Sequence, residues 1–341
     1  MIRVVAFALL ILAAAALVFA AMAEPASLLR AWLTAWLILI APSIGAVFLL
    51  LIGVLAPGPW TDKVWGPARV LLLALPVLSI GVIPVLFGLG ALYPWVSPSD
   101  EIAHWVDPRG AWQEPLWFAL RQIVYLAILS GAAVLLATGR VASRPLAGGL
   151  AIPVTLAASY FALDISMSLD AAVNSTIFGL YVTAGQGAAA MAVVILGQTL
   201  SARDADAVSG RPVWMLVGAC ALWGYHALFQ YLIIWSGDLP RNAAWYLARN
   251  QGAWLPVIFL YCALFALGFA LLIRPVRKSV AGLGAVAFGV LAAVVVETIW
   301  RTAPDLQPGL AYFAALLGWL ALAAGLGGLA LGPNRREAAH G

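Results

Sequence analysis

Charged residues, cysteines and histidines are scarce in this sequence. Only 9% of its 341 residues are charged, and it has two cysteines and three histidines. Cys220 and Cys262 both stand inside apolar runs, so their spacing predicts neither a disulfide framework nor a metal site. His226 is the single histidine within an apolar run, whereas a membrane b-type haem commonly needs two facing histidines. We therefore expect no haem and no bound metal in this chain.

Signatures of soluble catalysis and long loops are also missing. The sequence has no phosphate-cradling glycine loop, no cysteine pairs with metal-ligand spacing and no pattern typical of a nucleophile triad. The longest connection between apolar runs is 94–114, which leaves no room for a folded extramembrane domain. Any soluble redox chemistry would therefore belong to another chain.

Apolar residues, in contrast, are abundant. They make up 64% of the sequence, and the mean hydropathy is +1.01. Ten runs reach the roughly 20 residues that a membrane-spanning helix needs. These runs are 2–22, 31–56, 69–93, 115–138, 146–168, 173–199, 212–235, 253–274, 279–298 and 308–331. We expect an all-α integral membrane protein, with residues 1–341 forming one polytopic domain.

The basic residues divide unequally between the two sides of a ten-helix topology. Most of them fall on the side of the N-terminus and the even-numbered connections: Arg3, Lys63, Arg69, Arg140, Arg144, Arg203, Arg211, Arg274, Arg277, Lys278, Arg335 and Arg336. Because cytoplasmic loops are enriched in basic residues, we expect both termini in the cytoplasm. The net charge of +4 thus reflects topology and does not indicate a nucleic-acid partner. The run 1–23 is either the first span or, alternatively, a signal peptide cleaved after Ala23.

Carboxylates near the ends of two apolar runs are candidates for proton transfer. Asp164 lies within the fifth run, and Asp170 marks the turn roughly 9 Å of helix further on. Because an ionisable group in a span is costly, we expect both to accept protons or to contact a ligand. The alternative is that they cap the helix hairpin and hydrogen-bond nearby serines. Glu297 is a third candidate, although Arg301, four residues later, predicts an i,i+4 ion pair.

The seventh run carries the candidates for binding a ring-shaped ligand. His226 and Gln230 are four residues apart, hence on one helical face. Beside the aromatic Tyr225 and Trp235, they could hydrogen-bond a quinone carbonyl or, equally, hold neighbouring helices together. Arg121, near the start of the fourth run, is a further candidate for the quinone site and could act as counter-ion to either aspartate described above.

Two blocks of the sequence match a family pattern. The pattern Asp-Trp-x-Met-Ser-Leu-Asp-Pro-His-Trp-x-Ser-Thr-Ile-Phe-Gly falls on 164–179, and the pattern Ser-Gln-Phe-Leu-Ile-Ile-Trp followed by Asn-x-Pro-Glu-Glu falls on 229–242. The matching residues are Asp164, Met167, Ser168, Leu169, Asp170, Ser175, Thr176, Ile177, Phe178, Gly179, Gln230, Leu232, Ile233, Ile234, Trp235 and Pro240. Together with "RAWLTAWLILIAPSIG", "LYPW" and "LLIRPVRK", they make residues 30–305 resemble the NrfD-like membrane subunits of bacterial respiratory complexes. Within that family, the chain resembles the ActF-type subunit of alternative complex III, a quinol:cytochrome c oxidoreductase.

The resemblance implies a fold, a ligand and partners. It implies two four-helix bundles with extra helices, in the bacterial inner membrane, within a quinol-oxidising complex. Other membrane subunits and cytochrome c-type and iron–sulfur subunits would be the partners, and quinol would bind either this chain or a sister subunit. The pattern's Pro and His are replaced by Ala171 and Ala172. These losses favour the alternative, a non-catalytic structural or assembly subunit, whereas a stand-alone transporter would more often show broken helices at the midplane.

Overall fold

The computed structural model of this chain is built from α-helices. It describes residues 2–100, 103, 110, 112–171, 173–200, 202, 204–208, 210–237, 240–252, 254–303 and 309–331. Within these residues, nine helices are long and apolar enough to cross a membrane, and a shorter apolar segment covers Leu310–Leu326. The predicted all-α membrane architecture of about ten helices is confirmed. The finer arrangement into two four-helix bundles stays a prediction.

Fifteen α-helices are described, and each predicted span overlaps at least one of them. They are α1 Ile2–Ala23, α2 Pro25–Leu55, α3 Pro59–Ser79, α4 Val82–Phe87, α5 Leu89–Leu92, α6 Pro115–Ala137, α7 Arg144–Ile165, α8 Phe178–Thr199, α9 Ala205–Val208, α10 Arg211–Ser236, α11 Pro240–Arg249, α12 Trp254–Leu267, α13 Arg274–Arg277, α14 Val280–Thr302 and α15 Leu310–Leu331. Two 3₁₀ segments, Met167–Leu169 and Gly268–Leu272, follow α7 and α12.

Polar side chains fix where two of these helices begin. Before α6, the side chain of Glu114 accepts a hydrogen bond from the backbone N–H of Trp117 at 3.0 Å, and Pro115 takes the first helical position. α8 begins at Phe178 instead of residue 173. The preceding Asn174 exchanges two hydrogen bonds with Asn242, at 3.1 and 3.2 Å, which commits its backbone N–H and C=O outside the helix.

The chain divides into two compact units, and the boundary falls inside α2. The first unit comprises Met1–Trp36 and Ala303–Gly341. In it α1 packs against α15. Buried alanines recur every seven residues on α1, at Ala6, Ala13 and Ala20. Gly318 lies against Leu17 and the carbonyl of Ala13, while Gly325 lies against Leu10 and the carbonyl of Ala6, so the two helices run antiparallel. Small residues at such a contact let two backbones approach closely.

The second unit, Leu37–Thr302, is organised around α8. This helix packs against α3, α7, α10 and α14 and is the most buried of the spans. Two glycines permit its closest contacts. A Cβ atom at Gly45 of α2 would lie 1.9 Å from the carbonyl oxygen of Gln186, and one at Gly179 would lie 2.7 Å from that of Ser159. Backbone atoms occupy both places, so no side-chain rotation could make room.

Polar side chains of the second unit lie at its two ends, where loops connect the helices. One group, the Lys278 end, is held by Lys278, whose Nζ lies 2.8 Å from Asp206 Oδ1, and by Gln198, which donates to the carbonyl of Lys63 at 2.5 Å. The other group contains Asp164 and is called the Asp164 end. Basic residues expected on one side therefore do meet in the structure. The cytoplasmic position of the termini and the cleavage of 1–23 stay predictions.

Candidate functional site

The Asp164 end is shaped by the way α7 stops. α7 ends at Ile165, and a 3₁₀ turn over Met167–Leu169 redirects the chain. The hydroxyl of Ser168 donates to the backbone carbonyl of Asp164, and Tyr93 Oη donates to the carbonyl of Ile165 at 3.0 Å. These bonds satisfy carbonyls that would otherwise lack partners at the helix end. They also fix the direction in which Asp164 leaves the last turn.

Asp164 is the hub of a buried polar cluster. It is only 3% exposed, and its carboxylate accepts three hydrogen bonds. Arg121 Nε lies 2.8 Å from Oδ2, Gln122 Nε2 lies 3.2 Å from Oδ2, and Trp112 Nε1 lies 3.1 Å from Oδ1. Of the two aspartates that Arg121 could have paired with, the structure selects Asp164. A carboxylate offers about four acceptor positions, so one remains on Oδ1.

Trp112 and Arg121 are tied to each other as well as to Asp164. Arg121 Nη2 donates to the backbone carbonyl of Trp112 at 2.7 Å, and its guanidinium carbon lies 4.1 Å from the centre of the Trp112 ring. The centre of the Tyr160 ring lies 5.9 Å from that of Trp112, with the two ring planes tilted by 52°. These groups line a cavity of about 290 Å³, whose other walls include Phe118. The cavity therefore presents a charged pair at one side and aromatic rings around it.

Glu297 belongs to a second buried cluster, deeper in the same unit. Arg301 Nε lies 2.8 Å from Glu297 Oε1, which confirms the predicted i,i+4 ion pair. Tyr181 Oη donates to the same carboxylate oxygen at 2.5 Å. Both charged side chains are buried, at about 5% exposure. Arg301 Nη1, Gln186 Oε1 and other atoms around a cavity of about 20 Å³ have no hydrogen-bond partner, and that volume suffices for one water molecule.

Gln230 lies in a third cluster, formed around α11. Its Nε2 donates to Tyr246 Oη at 3.1 Å, and its Oε1 accepts from Ser175 at 3.4 Å. Burial raises the pKa of Tyr246 to about 12, which keeps its hydroxyl protonated. Asp170 and Arg249 line the same small cavity of about 10 Å³. Gln230 thus links α10 to α11 and to the turn before α8.

Arg249 lines this cavity together with Asp170. Its Nε donates to the backbone carbonyl of Trp300 at 3.2 Å, and its guanidinium lies 4.3 Å from the centre of the Trp245 ring. Burial lowers the pKa of Arg249 to about 10, and the charge of Asp170 acts against that change by raising it. Asp170 therefore stabilises a buried cation at this end of the unit.

The remaining candidates on α10 do not join these clusters. His226 is half-buried, and its Nδ1 donates to the carbonyl of Leu222 at 2.9 Å, which leaves Nε2 as an acceptor. It lines a different cavity from Gln230, so the two do not form one site. Tyr225 and Trp235 are 51% and 69% exposed, on the outer surface of the helix. Neither lines any of the cavities described above.

Several residues that complete these clusters carry no signal in the sequence. Trp112 reaches Asp164 across 52 positions, and Tyr181 reaches Glu297 across 116. Gln122 directly follows Arg121, so the pair of polar residues inside an apolar run could have drawn attention to both.

A metal centre finds no donor set in the part of the chain that the structure describes, because no three His, Cys, Asp or Glu side chains are grouped there. No model of a known protein family matches this sequence, and no curated protein matches it either.

Proposed function

We propose that this chain is a membrane subunit of a respiratory quinol-oxidising complex and that the cavity beside Asp164 receives the head group of quinol. One observation carries the proposal: a buried ion pair and a ring of aromatic side chains share a cavity of about 290 Å³. That volume approaches the lower limit of about 300 Å³ for ligand pockets in proteins. Aromatic walls suit a flat ring, and polar groups at one side orient it.

The remaining acceptor position of Asp164 gives this cavity its chemistry. A quinol hydroxyl that donates to Oδ1 would be held where a carboxylate can take its proton as the electrons leave. Before the proton transfer, the positive charge of Arg121 partly neutralises the carboxylate of Asp164. The hydrogen bond from Trp112 orients that carboxylate. Oxidation of one quinol releases two electrons and two protons. In this proposal a haem or an iron–sulfur cluster of a partner subunit would take the electrons, Asp164 would accept one of the protons, and the other would leave to water.

The complex would lie in the bacterial inner membrane with both termini of this chain in the cytoplasm. Support for that orientation comes from the basic residues gathered at the Lys278 end, opposite the Asp164 end. The resemblance of 164–179 and 229–242 to the NrfD-like pattern supports the assignment to an alternative complex III-like assembly. Within these blocks the matching residues Asp164 and Gln230 are both buried.

The decisive experiment compares two aspartates in the purified native complex. Asp164→Asn should lower quinol oxidation on the order of 100-fold, because it removes a proton acceptor while preserving side-chain volume. Asp62→Asn, at an exposed position of α3, should leave turnover unchanged. Full turnover in Asp164→Asn would refute a proton-accepting role. A chain that purifies without cytochrome or iron–sulfur partners would refute membership of such a complex.

The alternative is a structural subunit, and it is favoured by the three donors that already satisfy Asp164. A photoreactive short-chain quinone separates the two functions. Binding in the cavity predicts crosslinks within 160–168, and Asp164→Asn should reduce them. If the chain is a structural subunit, the crosslinks should fall on a partner chain. Asp164→Asn should then change thermal stability and nothing else.

A further inference from the structure

The largest cavity described in the second unit is an apolar crevice that none of the polar clusters uses. It measures about 370 Å³ and is walled by α2, α8 and α10, with one residue of α7. Ile52, Leu180 and Leu222 line it and are each about half exposed, so the crevice opens to the side. All four helices belong to spans long and apolar enough to cross a membrane. The opening therefore faces the hydrocarbon region of a bilayer.

The crevice is separate from the Asp164 cavity. Thr155 lines the crevice and Asp164 lines the other cavity. Nine residues on one helix correspond to about two and a half turns, which places the two side chains on opposite faces of α7. A quinol head group held by Asp164 consequently does not extend its tail into this crevice.

Two glycines keep the crevice open. A Cβ atom at Gly187 or at Gly218 would meet nothing within 4 Å, and both residues line the cavity. Along α10 the lining runs from Met215 to His226, about 16 Å of helix. This length and the lack of Asp, Glu, Lys and Arg among the lining residues suit an extended hydrocarbon chain.

Cationic side chains stand at one end of the crevice. Arg211 begins α10, about one turn before Met215, and its guanidinium lies beside Gly58, in the connection that follows α2. A Cβ atom at Gly58 would lie 2.9 Å from Arg211 Nη1. Arg144 begins α7 on the same side, where Gly148 approaches Leu55 of α2. Guanidinium groups at the end of an apolar channel complement a phosphate at the end of an acyl chain.

We infer that this crevice is a binding site for one anionic phospholipid, with an acyl chain between α2, α8 and α10 and its phosphate at Arg211. The inference does not depend on quinol oxidation, because it uses neither the Asp164 cavity nor the clusters around Glu297 and Gln230. Bound lipid would fill the space left by Gly187 and Gly218 and link the ends of α2 and α10. Phosphate contacts made by arginine at this membrane side are of the kind that retain anionic lipids.

The test counts retained lipids by native mass spectrometry after reconstitution with phosphatidylglycerol or with phosphatidylcholine of the same chain length. The native chain should retain one phosphatidylglycerol through delipidating washes. Gly218→Leu should lower that occupancy about tenfold, because a Cβ atom at this position meets nothing within 4 Å and the leucine side chain would occupy the crevice. Gly131→Leu, at an exposed glycine of α6 with equally open surroundings, is the matched control and should retain the lipid. If Gly218→Leu does not fold, Gly187→Leu makes the same change from α8.

The headgroup is tested by charge removal. Arg211→Gln should abolish the preference for phosphatidylglycerol over phosphatidylcholine, a change of about tenfold in relative occupancy. Arg140→Gln, an exposed arginine at the same side, should leave the preference intact. Equal retention of both lipids by the native chain would overturn the phosphate contact. Retention that Gly218→Leu and Gly187→Leu leave unchanged, or recovery of a prenylquinone in place of the phospholipid, would overturn the site itself.

Discussion

Removing the charge of Arg121 alone should destabilise the second unit more than removing the charges of both Arg121 and Asp164. In Arg121→Gln the carboxylate of Asp164 keeps its burial, at 3% exposure, but loses the cation 2.8 Å away. Breaking a buried ion pair from one side costs about 3–5 kcal/mol, because a charge stays in the interior without its partner. At roughly 2–4 °C per kcal/mol, the melting temperature should fall by at least about 6 °C.

The double variant Arg121→Gln/Asp164→Asn supplies the matched comparison. It loses the contacts of Arg121 with Trp112 but leaves no uncompensated charge, so it should recover at least about half of the lost stability. A thiol-reactive dye can follow unfolding. Cys220 is buried and Cys262 is exposed, so a Cys262→Ser background makes Cys220 the reporter of core opening. The ion-pair explanation fails if Arg121→Gln has the same melting temperature as the native chain. It also fails if the double variant is no more stable than Arg121→Gln.

Two further predictions concern α8 and the turn before it. Gly179→Ala should lower the free energy of unfolding by about 1–3 kcal/mol, because its Cβ would lie 2.7 Å from the carbonyl oxygen of Ser159. Gly197→Ala in the same helix is the control: its Cβ meets nothing within 4 Å, so the change should be neutral or stabilising. Equal melting temperatures of the two variants would contradict this prediction. Asp170→Asn should lower the pKa of Arg249 below about 10. Above the pKa of Arg249 in the folded chain, the unfolded chain holds one more proton than the folded chain, so stability rises with pH. In the variant this rise should begin at a lower pH than in the native chain. Identical slopes of stability against pH between about pH 8 and about pH 10 would contradict that expectation.

The fold was predictable from the sequence because a bilayer demands long apolar helices with internally satisfied backbones. Most apolar runs became one helix, but the run 69–93 is divided among α3, α4 and α5, with breaks after Ser79 and at Gly88. The other errors lie at polar ends. α3 begins at Pro59, ten residues before the run at residue 69, because a helix can continue through Asp62 and Lys63 outside the apolar stretch. α14 extends to Thr302, which encloses Arg301 within the helix.

Contacts between side chains were predictable only where sequence spacing within one helix fixes them. Glu297 and Arg301 meet because they are one helical turn apart. His226 and Gln230 have the same spacing but face different cavities, since four residues also rotate a side chain by about 40° and move it about 6 Å along the helix. Which neighbour stands at each position depends on how the helices pack, and a single sequence contains no direct record of that packing.

The pairing of α1 with α15 separates the order of membrane insertion from the order of assembly. Roughly 290 residues lie between these helices, so at about 5–20 residues per second α1 waits on the order of 15–60 seconds for its partner during synthesis. Throughout that time the stripe of Ala6, Ala13 and Ala20 faces lipid or another protein instead of α15. The helix that enters the membrane early in synthesis is therefore among the last to reach its final neighbours.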